Sequence, residues 1–269
     1  MNEFFIVQRY SRRILTSLFE FTKDLLWSRR LFVCRIKRII ASRILSLFDK
    51  EFSSLKTYYE SMYNTMRNRL IKKTKYGKLT FYIRRGDDNM IKEVFLDKDY
   101  YKLKEFYPKR GEIIVDLGAG IGDYTIFSSY LVGQKGLIIS VECDKDAYSL
   151  LKKNIKKNKL SNIITFNIAI SNRKGKRIDD IVRKCKLKKI DLIKMDIEGF
   201  EYLALLGAKN ILKKFHPKIV VEIHSTELRN KIKKYLERFG YKLVYEDKKF
   251  GLDFYLSYFM YSDKSKFNS

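Results

Sequence analysis

Between Glu112 and Ile223 the apolar residues fall in short, β-branched runs separated by stretches with helical spacing. Glu112 to Leu117, Gly136 to Glu142, Ile163 to Ile170, Asp191 to Ile197 and Lys218 to Ile223 have the composition of strands buried on both faces. Tyr124 to Leu131, Asp146 to Lys157, Ile178 to Lys186, Tyr202 to Lys213 and Glu227 to Phe239 read as the helices between and after them, the last one stopping at Gly240. This alternation predicts a mostly parallel sheet with helices on both faces. Tyr241 to Tyr245 and Phe254 to Tyr261 read as two closing strands, which makes seven. Upstream, Leu79, Phe81 and Ile83 alternate as in a short strand. A turn follows at Gly86-Asp87-Asp88-Asn89, then a helical stretch through Tyr101.

Before Tyr76 the pattern is different. Leu15, Leu18, Leu25, Phe32, Ile36, Ile40, Ile44 and Leu47 recur mostly at steps of three, four or seven, which lines them up on one helical stripe, with Arg30, Lys37 and Arg38 on other faces. Residues 1–76 hold 17 basic and 6 acidic side chains, so charge is denser there than in the rest of the chain. The expected division is a basic, helical extension over residues 1–76 and an α/β domain over residues 77–269, with its motif core at residues 111–225. The stripe most simply packs on the protein itself. Contact with an anionic membrane surface through residues 14–48 is the second reading, and nucleic-acid contact the third, because an aliphatic and aromatic face contributes nothing to phosphate binding. The net charge of +26 attracts phosphates, anionic lipid or acidic glycans without naming a partner. Three scattered cysteines and two histidines rule out a Cys/His zinc cluster and a disulfide scaffold. Charges interrupt every apolar stretch of the N-terminus and no small-residue cleavage site follows one. The chain therefore reads as cytoplasmic, with peripheral contact at the inner membrane surface as a variant.

The segment Val115-Asp116-Leu117-Gly118-Ala119-Gly120-Ile121-Gly122 follows a predicted strand and opens a helix, where glycines let backbone amides approach a ligand. Its Gly118, Gly120 and Gly122 spacing differs from the G-x-G-x-x-G of dinucleotide binders, and Asp116 would sit where a pyrophosphate otherwise lies. A carboxylate there suits the cationic amino-acid portion of S-adenosylmethionine, directly or through water. Glu142, ending the next strand, is placed to accept hydrogen bonds from both ribose hydroxyls. Ala119 and Thr125 in the turn and helix, Cys143 after Glu142, and Asn167 and Ala169 near the end of the third strand complete the candidate cofactor contacts.

Ile190-Asp191-Leu192-Ile193-Lys194-Met195-Asp196-Ile197-Glu198-Gly199-Phe200-Glu201 resembles the signature of the FkbM family of methyltransferases. Leu206-Gly207-Ala208-Lys209-Asn210-Ile211-Leu212 and Pro217-Lys218-Ile219-Val220-Val221-Glu222-Ile223 are similar to that family's flanking helix and strand, and Glu93-Val94-Phe95 with Tyr100 to the helix entering the domain. The resemblance spans roughly residues 80 to 245. It departs from the family at Gly120, where Asn is frequent, and at Cys143, where Pro is common. It implies a class I, Rossmann-like, S-adenosylmethionine-dependent enzyme that methylates hydroxyls of a sugar, a glycan or a related small molecule.

Asp196 and Glu198 lie two apart at the end of one predicted strand, and Glu222 and His224 repeat that spacing on the next. Both pairs belong at the carboxyl edge, where open α/β sheets bind ligands, and are candidates for removing the acceptor proton. Asp196 also borders the cofactor. Asp196, Glu198 and Glu222 would suit a Mg²⁺ ion that acidifies a hydroxyl. Glu201, on the following helix, is expected to cap locally or to pair with Lys194 or Lys209. The rival enzyme reading is a tRNA or rRNA methyltransferase, favoured by charge. It is disfavoured because Pro108 and Pro217, the only prolines, cannot build an (Asn/Asp)-Pro-Pro-aromatic loop. A non-catalytic binding protein on the same fold is opposed by intact Asp116, Glu142, Asp196 and Glu198.

Overall fold

The computed structural model describes residues 71–84, 87–249 and 254–262. The chain divides into two compact units, Met1–Arg69 and Leu70–Ser269, and the described residues all belong to the second. The amphipathic stripe from Leu15 to Leu47 lies outside them.

The second unit opens with an antiparallel hairpin, β1 (Ile71–Tyr76) and β2 (Leu79–Arg84), turned at Gly77 with φ +57°. The boundary expected at Tyr76 therefore falls inside a hairpin, and residues 71–76 group with the domain. Alternation along β2 buries Leu79, Phe81 and Ile83 against Ile91, Ile121, Ile126 and Leu150. Helix α1 (Asp88–Phe95) follows, and the predicted helical stretch through Tyr101 breaks after it: Lys98 takes a left-handed φ of 55° before a 3₁₀ turn, Asp99–Tyr101.

From there strands and helices alternate. The order is β3 (Ile113–Leu117), α2 (Asp123–Val132), β4 (Leu137–Val141), α3 (Lys145–Lys157), β5 (Ile163–Phe166), α4 (Ile178–Lys184) and β6 (Leu192–Met195). Then come α5 (Glu201–Leu206), α6 (Lys209–Lys214), β7 (Lys218–Ile223), α7 (Thr226–Glu237), β8 (Tyr241–Lys249) and β9 (Phe254–Tyr261). The seven strands from β3 onward form one sheet in the order β5-β4-β3-β6-β7-β9-β8, parallel except for β9, which runs antiparallel to both neighbours. This is the class I methyltransferase topology. The chain leaves β3 toward β4 and returns on its other side to β6, so a crevice opens outside the carboxyl ends of β3 and β6.

Three further elements differ from the sequence expectation. The strand expected to reach Ile170 ends at Phe166, because β5 is an edge strand with only β4 to pair with. The helix expected over Tyr202 to Lys213 is two helices. Gly207 packs so closely that a Cβ there would lie 2.7 Å from the Ser171 carbonyl oxygen, and Asp179 accepts the amides of Asn210 and Ile211, capping α6 from a distant helix. β8 runs four residues beyond Tyr245, carried by its ladder with β9. Among the described residues no helix is long and apolar enough to cross a membrane.

A candidate active site at the carboxyl edge of the sheet

The glycine turn between β3 and α2 is pinned from below. The amides of Gly118 and Ala119 both donate to the Val141 carbonyl at 3.0 Å. Gly118 has φ +75°, and a Cβ on it would stand 1.8 Å from the Asp196 carbonyl oxygen, so only glycine lets the turn lie against the end of β6. Gly120 has φ +54° and faces Met90 of α1. Glu142 closes the other side: its Oε2 accepts Gly120 N–H and its Oε1 accepts Asp144 N–H, both at 2.7 Å. Burial pushes the Glu142 carboxyl up, and these two amides oppose that. Each oxygen keeps a second lone-pair site for an incoming hydroxyl.

Asp116 is wholly buried. Its Oδ1 lies 3.2 Å from Lys194 Nζ, and its Oδ2 accepts from the Thr125 hydroxyl at 2.6 Å. Lys194 also donates to the Gly118 carbonyl at 2.8 Å and stands over the Tyr100 ring at 4.9 Å. Burial works against the ammonium, but the charges of Asp116, Asp196 and Asp123 outweigh it, and Lys194 is held well above its ordinary value. Asp116 is thus paired with Lys194, and Thr125 joins Asp116 and Ser140 beneath the turn.

At the ends of β6 and β7, four carboxylates surround one imidazole. His224 Nδ1 lies 3.2 Å from Glu201 Oε1, while Nε2 stands 3.5 Å from Glu198 Oε2, 3.6 Å from Glu222 Oε1 and 4.0 Å from Asp196 Oδ1. Phe254 closes one side, edge-on to the ring at 5.2 Å. Burial disfavours the charged ring, yet the Glu201 hydrogen bond and the charges of Asp196 and Glu222 prevail and raise His224 to about 9. Tyr100 donates to Asp196 Oδ2 at 3.2 Å, which ties that carboxylate to the Lys194 side of the crevice.

The structure thus brings Asp196, Glu198, Glu222 and His224 together as the strand-end spacing requires. Gly118, Ala119, Gly120 and Gly122 form the turn one strand away, and Glu142, which follows β4, accepts a hydrogen bond from it. Asn167 donates to the carbonyls of Glu142 and Cys143, which fixes the loop where Cys143 is exposed, and Ala169 is exposed beyond the end of β5. The ligand atoms that converge are those of Asp196, Glu198 and His224, a nitrogen-containing set rather than the all-carboxylate set considered for Mg²⁺. Glu201 binds His224 and accepts the Gly199 amide at 2.9 Å; its expected partner Lys194 is committed to Asp116. Sequence reasoning missed Tyr100 and the buried role of Lys194. A lysine inside an otherwise apolar strand was the available signal.

Residues 172–243 match the family model described as Methyltransferase FkbM domain, in agreement with the resemblance carried by the Ile190 to Glu201 segment. Residues 102–194 match that of the TRM5/TYW2 methyltransferase domain. A probable cobalt-precorrin-6B C(15)-methyltransferase (decarboxylating) from Sulfurisphaera tokodaii is 31% identical over 133 residues, 49% of this chain and 64% of that protein. A tRNA(Phe) (4-demethylwyosine(37)-C(7)) aminocarboxypropyltransferase from Methanocaldococcus jannaschii is 28% identical over 151 residues, 55% of this chain and 57% of that protein. The chain thus spans less than two thirds of the length of either curated relative. The crystal structure of a methyltransferase FkbM from Methylobacillus flagellatus superposes with a TM-score of 0.48 at 22% identity, covering 56% of this chain and 43% of that one.

Proposed function

We propose that this chain is an S-adenosylmethionine-dependent methyltransferase that acts on a hydroxyl oxygen, with a sugar or glycan hydroxyl as the acceptor class. The observation that carries the reading is the cluster of Asp196, Glu198, Glu222 and His224 beside a glycine turn flanked by Glu142. Gly118, Ala119 and Gly120 would cradle the amino-acid end of the cofactor, and Glu142 would accept from its ribose. The cofactor supplies an electrophilic methyl group: the acceptor oxygen forms the C–O bond as the C–S bond breaks, its electron pair staying on sulfur.

Asp196 would take the hydroxyl proton, because it follows β6 beside the glycine turn, where a Cβ on Gly118 would meet its carbonyl oxygen. Tyr100 holds it in place with a hydrogen bond, and the His224 ring faces it from 4.0 Å. Glu201 fixes the imidazole. Alignment of an in-line displacement is the largest service such a site can give, so the rigid strand ends matter as much as the base. The test is calorimetric titration with S-adenosylmethionine, followed by transfer of labelled methyl from the cofactor to cell fractions. Absence of cofactor binding would sink the reading.

The TRM5/TYW2 match over residues 102–194, the curated relative named for tRNA(Phe) and the +26 charge support a second reading, a tRNA acceptor. Labelled product that is destroyed by ribonuclease would favour it over a glycan. Product resistant to ribonuclease and released by glycosidases would do the reverse.

A further inference from the structure

Glu201 stands toward His224 as an outer carboxylate stands toward a metal-bound imidazole. It is fully buried, it pairs with Nδ1 at 3.2 Å, and it thereby fixes the ring with Nε2 turned the other way. Nε2 is buried and makes no hydrogen bond, although three carboxylates face it from 3.5 to 4.0 Å. One ligand atom each from Asp196, Glu198 and His224 lies within 4.8 Å of the others. We propose that Asp196, Glu198 and His224 bind a divalent first-row transition metal ion, with Glu201 orienting the imidazole and Glu222 within reach as a further ligand.

Geometry favours this. Ligands about 2.1 Å from a common ion stand roughly 3.0–3.4 Å apart in octahedral or tetrahedral arrangement. The observed Nε2 to carboxylate separations exceed that by tenths of an ångström, and Glu198, half-exposed, has room to swing inward. Charge favours it too. Four carboxylates converge on one imidazole, and the nearby Lys194 ammonium is engaged by Asp116 and the Gly118 carbonyl. A dication offsets the mutual repulsion of the carboxylates more fully than a proton on the ring does. A mixed imidazole and carboxylate set selects Mn²⁺, Fe²⁺, Co²⁺ or Zn²⁺ over Mg²⁺, which prefers oxygen and retained water. Three protein ligands also leave coordination positions open. Use of one of them to bind and acidify the acceptor hydroxyl rests on the methyl-transfer reading above; metal binding itself does not.

The experiment is titration of the full chain with Co²⁺, followed by visible absorption and by calorimetry, with S-adenosylmethionine binding measured separately on the same samples. The expected result is saturable, stoichiometric Co²⁺ uptake with a visible ligand-field band. Affinity should fall at least about tenfold in Glu198→Gln and His224→Gln, and about 10–100-fold in Glu201→Gln, as for loss of an outer-shell partner. Glu198 has a half-exposed side chain, so its variant tests the site without disturbing the core. Zn²⁺ should raise the melting temperature of the parent chain and leave that of Glu198→Gln nearly unmoved. No ligand-field band in the parent chain, or unchanged Co²⁺ affinity in folded Glu198→Gln, would overturn the site. Co²⁺ binding without S-adenosylmethionine binding would uphold the metal site and sink the methyltransferase reading, and the reverse result would separate them the other way.

Discussion

Lys194 Nζ stands 3.2 Å from Asp116 Oδ1, at directly paired positions of β6 and β3, with side chains 4% and 0% exposed. The ion pair spans the crevice floor and links the glycine turn to the strand that leads into Asp196. Removing one partner strands the other charge in a dry site. Lys194→Met is therefore expected to cost about 3–5 kcal/mol, and the double variant Lys194→Met/Asp116→Leu to recover much of it. Urea denaturation of the three proteins checks this; equal stability of the single and double variants would contradict it.

Glu142 holds the glycine turn through Gly120 and offers its remaining lone pairs to the ribose. Glu142→Ala should weaken S-adenosylmethionine binding by ~1.5–3 kcal/mol, about ten- to a hundredfold. Calorimetry on the folded variant reads this directly, and an unchanged Kd would remove Glu142 from the cofactor site.

Asp196→Asn keeps the shape of the carboxylate but cannot take a proton. Turnover should fall about 10²–10⁴-fold while cofactor affinity stays within a few-fold. If kcat holds and only KM rises, Asp196 serves acceptor binding rather than proton removal.

Asp180 reports on stability instead of chemistry. Hydrogen bonds from the Arg177 side chain, with further ones from the Gly175 and Arg177 amides, hold its carboxyl well below the ordinary range. Because the folded value is depressed, its contribution is complete above the usual carboxylate range and is lost as pH falls through that range toward the folded value. Stability of the parent chain should drop between about pH 5 and pH 2, and Asp180→Asn should be less stable at pH 7 with a shallower acid-side slope. Urea midpoints measured across that range decide it.

Much of the frame was readable from periodicity. Runs such as Ile113–Leu117 and Lys218–Ile223 are apolar because both faces of a central parallel strand are covered, so composition alone marks them. The edges were harder. β5 ends where its single neighbour ends, and the split at Gly207 depends on Ser171 and Asp179, which are distant in sequence.

The sequence by itself determined the order of strands and helices, the glycine turn with its flanking acids, and the strand-end spacing of Asp196 with Glu198 and Glu222 with His224. These are local properties: a period of two residues per strand, a steric demand for glycine, a carboxylate at a strand terminus. Tertiary structure alone decided what each charge faces. Lys194 reaches Asp116 because β6 is inserted beside β3 out of chain order, and Glu201 reaches His224 because α5 delivers it beneath the end of β7. Burial then fixes those choices, since a charge removed from water must take the partner that lies beside it in space, whatever its distance along the chain.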